Sequence, residues 1–265
     1  MAKTTQVEYR VYDGADALSH AAAEHFVEAA QAAVGARGKA RLAFSGGNTP
    51  KATFKLLADP AGPFLKAMPW DKIEIYFVDE RCVPPEDKDS NYRMTREALL
   101  EKAPIKPEQV FRIEGELEPE LAAARYETTM RAQFRLEGAE APRFDVLALG
   151  MGDDGHTASL FPHTAAIHEM GRIAVANHVP QKDAWRVTLT WPVIVEASDV
   201  FFLIGGKDKA DPLHRVLQGP YDPETLPSQL IQPKSGKLLM LLDRDAAALL
   251  PFPDANGHGS LEIVR

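Results

Sequence analysis

The chain has 265 residues, 45% hydrophobic and 26% charged, enough for a folded protein with a sizeable core, which excludes general disorder. A formal net charge of -8 without a Lys/Arg cluster argues against a nucleic-acid partner, and the single cysteine, Cys82, permits no intrachain disulfide or CxxC metal site. No stretch approaches the roughly 20 apolar residues of a membrane helix, and "MAKTTQVEYRVYDG" lacks a secretory apolar run, so a cytoplasmic protein without membrane association is expected.

In chain order, "GKARLAFSGGNTP" reads as a strand entering a glycine turn, with "TPKATFKLLA" as the helix after it. "DKIEIYFVDE" is a strand of Ile, Tyr, Phe and Val that ends abruptly in charge, and "DSNYRMTREALLEKA" follows with a polar N-cap and a helical pattern. "ELEPELAAARYETTMRAQF" is a helix leading into the strand "RFDVLALG". Then come "WRVTLT", "SDVFFLIGG", the helical "KADPLHRVLQG" and the apolar "GKLLMLLD". The proline-containing "VPPEDKD" and "GPYDPETLPSQLIQP" are expected as surface loops, the second (219–233) long enough for a lid. There is no internal repeat.

Strands alternating with helices, several of them nearly uninterrupted apolar runs, predict a mainly parallel sheet covered by helices on both faces. Polar groups along the whole chain favour one domain over residues 1–265. In such sheets ligands bind beyond the carboxyl ends of the strands. Four strand ends carry unusual polar groups: Ser45 to Thr49, Asp79 to Arg81, Gly150 to His156, and Gly205 to Lys209. If these strands are parallel neighbours, the four groups converge.

Each group has a chemical reading and a plainer one. In "FSGGNTP", Gly46 and Gly47 let backbone approach an anion at a helix start, and Ser45 and Thr49 add hydroxyls; otherwise it is a tight turn. It is neither GxGxxG nor a Walker loop, so no nucleotide cofactor is indicated. Asp79 and Arg81 alternate about Glu80 and can share one side of a strand, the carboxylate for sugar hydroxyls and the guanidinium for phosphate. Glu80 reads as a solvated or structural charge, and Cys82 as a buried small residue. In "LGMGDDGHTASLFP", Gly150, Gly152 and Gly155 permit a strained turn that places His156 near a following helix start. Asp154 is the better candidate to fix the imidazole tautomer for general-base work, while Asp153 caps or is solvated. His163 and His168 lie nearby, but there is no HxxxH or HExxH spacing, so no metal is expected. Ser159 is outside any GxSxG elbow. Lys207 and Lys209 open a helix where a cation reaches phosphate, and Arg186 precedes an apolar strand; either is equally a surface cation.

Together "FSGGNTP", "FVDERCVPPEDKDSNYRM", "LGMGDDGHTASLFP", "RVTLT" and "GGKDKA" resemble the 6-phosphogluconolactonase family, within the group that includes glucosamine-6-phosphate isomerase/deaminase. The resemblance spans about residues 40 to 210. It implies a modified Rossmann-like α/β fold without a cofactor, often monomeric. It also implies hydrolysis of 6-phospho-D-glucono-1,5-lactone in the oxidative pentose phosphate pathway. Carried onto this chain, the family's histidine is His156, its acid Asp154, its "GxxKA" lysine Lys209 and its "RVTLT" arginine Arg186. Arg186 and Lys209 are expected near the substrate phosphate with the Ser45–Gly47 turn, joined by Arg81. Backbone N–H groups of a glycine turn or a nearby cation would serve the oxyanion. The deaminase branch continues after its histidine with an "AFNEP"-like run. This chain reads "ASLFP", which lacks that glutamate and favours the lactonase. A non-catalytic sugar-phosphate sensor would not need the His156–Asp154 pair.

Overall fold

A computed structural model describes residues 4–234, 237–251 and 253–264. Eleven strands occur among them: β1 (Thr4–Tyr12), β2 (Ala40–Phe44), β3 (Ile73–Phe77), β4 (Asp79–Arg81), β5 (Val110–Phe111), β6 (Val146–Leu149), β7 (Ala174–Val179), β8 (Ala184–Leu189), β9 (Asp199–Ile204), β10 (Lys237–Asp243) and β11 (His258–Val264). Eight form one sheet in the order β11-β1-β10-β9-β6-β2-β3-β5, parallel throughout except for the antiparallel edge strand β11. The helices are α1 (Ala15–Arg37), α2 (Asn48–Leu57), α3 (Phe64–Ala67), α4 (Asn91–Thr95), α5 (Pro119–Phe134), α6 (Trp191–Ile194) and α7 (Ala210–Gln218). This is the expected Rossmann-like arrangement.

The central strands are the most apolar because helices cover both of their faces. Every residue of β6 is buried, as are Val200 to Ile204 of β9. Register sets Phe44 opposite Phe77 and Ala148 opposite Phe201 on one face. There Phe26 of α1 and Phe54 of α2 close over Phe44 and Phe201 in edge and tilted contacts. On the opposite face Tyr76 packs with Phe111, Phe134 and Phe144. From α5, the buried Tyr126 hydroxyl accepts from the Phe77 N–H at 2.9 Å and donates to its carbonyl at 2.7 Å. It thereby satisfies both backbone groups where β3 ends.

Three expectations change. The strand "WRVTLT" is not in the large sheet. It is β8 of a separate antiparallel sheet, β4-β8-β7, in which Arg81 lies opposite Arg186. No helix follows β6: after His156 the chain makes a Thr157–Leu160 bridge through Ala158 at φ 51, a left-handed residue that interrupts helical winding. The stretch 219–233 is a surface loop only at its start. Leu226, Pro227, Ser228, Gln229 and Ile231 are buried, because the Ser228 N–H donates to the Gly155 carbonyl at 3.0 Å and Leu226 packs on Gly155. Gly236, which began the predicted last apolar strand, lies outside the described residues.

Candidate active site

Strands β9, β6, β2 and β3 are consecutive in the sheet, so their carboxyl ends, or the segments just beyond, carry all four polar groups to one edge. A cavity of about 460 Å³ opens there. Ser45, Gly46, Gly47, Thr49, Asp79, Arg81, His156, Arg186 and Lys209 all line it.

His156 is the best-defined group. Its Nδ1 lies 2.5 Å from Asp154 Oδ1, and the same oxygen accepts from the His156 backbone N–H at 3.0 Å. Because an ionised carboxylate only accepts, Nδ1 carries a proton, and in the neutral ring the lone pair is then on Nε2. Partial burial alone would raise the Asp154 carboxyl. The His156 hydrogen bond and charge outweigh it and hold the carboxyl below the usual range. The imidazole stacks on Phe161 at 3.9 Å between centroids, and the Arg186 guanidinium lies 5.2 Å from the same ring centre. The turn closes through Gly152 N–H to the His156 carbonyl at 2.8 Å and Gly155 N–H to the Gly152 carbonyl at 3.2 Å. Those two N–H groups are therefore engaged within the turn. Gly152 has no room for a side chain: a Cβ would sit 2.1 Å from His156 Nδ1.

The small sheet supplies positive charge. Arg81 and Arg186 are cross-strand neighbours, and the Nε of each is buried without a partner. Like charges directly opposite destabilise a sheet in the absence of a counter-ion. Burial lowers the Arg186 pKa and Arg81 adds to the effect, while Asp79 opposes it. From the large sheet, Lys209 ends the helical turn Lys207–Lys209 with its side chain 20% exposed, paired to Asp208 at 2.8 Å. Lys207 does not line the cavity.

Several of the other predicted residues have partners within the protein. Ser45 Oγ is buried and donates to the Ala148 carbonyl at 2.8 Å, so it ties β2 to β6 instead of offering a free donor. Asp79 is buried and accepts from Ser159 Oγ at 2.7 Å and Asn91 Nδ2 at 3.3 Å. Glu80 points away and is structural. Its carboxylate accepts from Ser90 Oγ and from the N–H groups of Arg81, Asn91 and Tyr92, although burial still raises its pKa. Burial pushes the Cys82 thiol up to about 11, the state of an unreactive cysteine. His163 and His168 face Glu224 on the 219–233 stretch instead of the cavity.

Sequence reasoning missed Asn91, which lines the cavity and would lie 1.8 Å from a Cβ at Gly46, and Phe161, the surface under the imidazole. Both stand inside the quoted motifs, but neither residue type announces such a role.

The chain belongs to a family described as glucosamine-6-phosphate isomerases/6-phosphogluconolactonase, whose model matches residues 13–240. Among similar proteins, a 6-phosphogluconolactonase of Synechocystis sp. is 40% identical over 81% of this chain and 86% of its own length. One of Nostoc sp. is 40% identical over 82% and 88%. The structure of 6-phosphogluconolactonase from Trypanosoma cruzi superposes with a TM-score of 0.80 at 30% identity, covering 91% of this chain and 96% of that one. Among the described residues no helix is long and apolar enough to cross a membrane.

Proposed function

We propose that this protein is a 6-phosphogluconolactonase, acting as one domain that converts 6-phospho-D-glucono-1,5-lactone to 6-phospho-D-gluconate. The observation that carries the reading is the Asp154-oriented, Phe161-stacked imidazole of His156 on a cavity also lined by Arg81, Arg186 and Lys209. The names of the relatives support the same choice.

His156 Nε2 takes a proton from water, and the hydroxide adds to the C1 carbonyl of the lactone. The carbonyl electrons move onto oxygen, where Arg81 supplies positive charge. When the oxyanion collapses, the bond from C1 to the ring oxygen breaks. The imidazolium returns its proton to that oxygen, leaving a carboxylic acid that ionises and a regenerated base. Asp154 keeps the imidazole in the competent tautomer and stabilises the imidazolium. Lys209, Arg186 and the α2 start at Gly46, Gly47 and Thr49 hold the phosphate, so binding energy remote from C1 orients the reacting carbon. Asp79, held by Ser159 and Asn91, accepts from sugar hydroxyls. The run after His156, "ASLFP", lacks the glutamate of the deaminase branch, which supports hydrolysis over an isomerase role in which Asp79 would move a carbon-bound proton.

The test is hydrolysis of freshly generated lactone, corrected for spontaneous opening, by wild type and His156→Ala. A folded variant is expected to lose about 10²–10⁴ in kcat/KM. Full activity in the variant would overturn the mechanism, and no wild-type acceleration would overturn the function.

A further inference from the structure

A second basin of about 400 Å³ lies on the other side of Gly47 and Asn48, sharing those residues, Arg81 and Asn91 with the substrate cavity. Four cations line it (Lys51, Arg81, Lys88 and Arg93) against two acids, Asp89 and Glu97. Glu97 is held by Arg93 at 2.7 Å, and Arg81 donates to the Asp89 backbone carbonyl, so neither contact disposes of the lysines. Among the described residues neither Lys51 nor Lys88 forms an ion pair; Glu97 is near enough to Lys51 only to feel its charge. Lys51 is also badly placed for stability. It sits at the start of α2, whose first turn contains no acid, where the helix dipole already disfavours a cation. The positive excess lies on a chain of formal net charge -8, which as a whole repels a phosphate dianion.

We infer that this basin is a capture site for the phosphomonoester of the incoming substrate, with Arg81 at the junction passing the anion from Lys51 and Lys88 into the substrate cavity. The inference rests on the phosphosugar reading above. Lys51 and Lys88 act on the encounter and do not hold the reacting sugar, so their loss belongs in kcat/KM and leaves kcat.

The experiment measures kcat/KM for the phosphorylated lactone with Lys51→Gln, Lys88→Gln and the double variant, at about 20 mM and about 500 mM ionic strength. Lys55→Gln, an equal charge change one turn further along α2 and outside the basin's lining, is the control. A loss of about 3- to 10-fold in each single variant at low salt, vanishing at high salt and absent for unphosphorylated glucono-1,5-lactone, is expected. Equal loss in the Lys55 variant, or none in Lys51→Gln and Lys88→Gln, overturns the capture site while leaving the lactonase reading intact. Should the wild type fail to turn over the phosphorylated lactone, that reading falls separately. The basin is then judged by inorganic phosphate titrated into wild type and the double variant. Shifts of the Lys51 and Lys88 amide signals in wild type alone support it, and no shift overturns it.

Discussion

Replacing Gly152 by Ala tests whether the His156–Asp154 geometry governs the rate. The new Cβ would stand 2.1 Å from His156 Nδ1, 2.3 Å from Cε1 and 2.6 Å from Asp154 Oδ1. Ordinary contact distances require a retreat of about 1 Å or more. The ring has little freedom to give it, being stacked at 3.9 Å on Phe161 and bonded at 2.5 Å to Asp154. The turn cannot swing away without breaking the 2.8 Å bond from Gly152 N–H to the His156 carbonyl. A misplacement of about 1 Å at a reacting group costs about 10²-fold, and loss of the favoured tautomer adds to it. Gly152→Ala is therefore expected to lose about 10²–10³ in kcat/KM while the sheet and melting cooperativity persist. The assay is lactone hydrolysis corrected for spontaneous opening, beside a thermal melt of the same sample. A variant within about 3-fold of wild type would refute the claim that this contact geometry limits catalysis.

Other consequences are equally direct. Tyr126→Phe removes the hydroxyl that serves both backbone groups of Phe77; a loss of about 1–3 kcal/mol is expected in denaturant unfolding, and an unchanged midpoint would contradict the pairing. Lys209→Gln raises KM for the phosphorylated lactone about 10-fold or more but leaves the unphosphorylated lactone unaffected, so equal effects on both would remove Lys209 from the phosphate site. Asp154 has a folded pKa below its unfolded value, so its stabilising contribution is present above the unfolded pKa of about 4 and disappears as pH falls through the folded one. Asp154→Asn should flatten the acid limb of a stability-versus-pH curve, and an identical limb would show that the pairing carries no linkage.

Much of this was legible because apolar strands that end in glycine or charge can be recognised without knowing their neighbours. The β2, β3, β6 and β9 ends were each visible, and only their adjacency had to be supplied by the sheet order. The second sheet was not legible: "RVTLT" looks the same whether its partner is a long parallel strand or the three residues of β4. The Ser45 partner was not legible because a side chain beside a glycine turn can face a ligand or the adjacent strand end, and only the sheet order brings the Ala148 carbonyl within its reach. The loss of a helix after His156 rests on Ala158 at positive φ, a conformation alanine does not advertise. The brace from 226–231 involves residues about 70 positions from the turn it supports, beyond any local pattern.

That brace divides the loop into two regions with unequal freedom to change. At the exposed Tyr221 the side chain can vary at little cost, although the Pro220 carbonyl and the Asp222 N–H on either side are tied to the buried Gln229. From Leu226 onward, Leu226 and Ser228 set the position of Gly155, and through it the histidine next in sequence. Natural drift or engineering that treats the whole segment as a dispensable connector would therefore detune the catalytic turn from behind, without altering a single cavity wall.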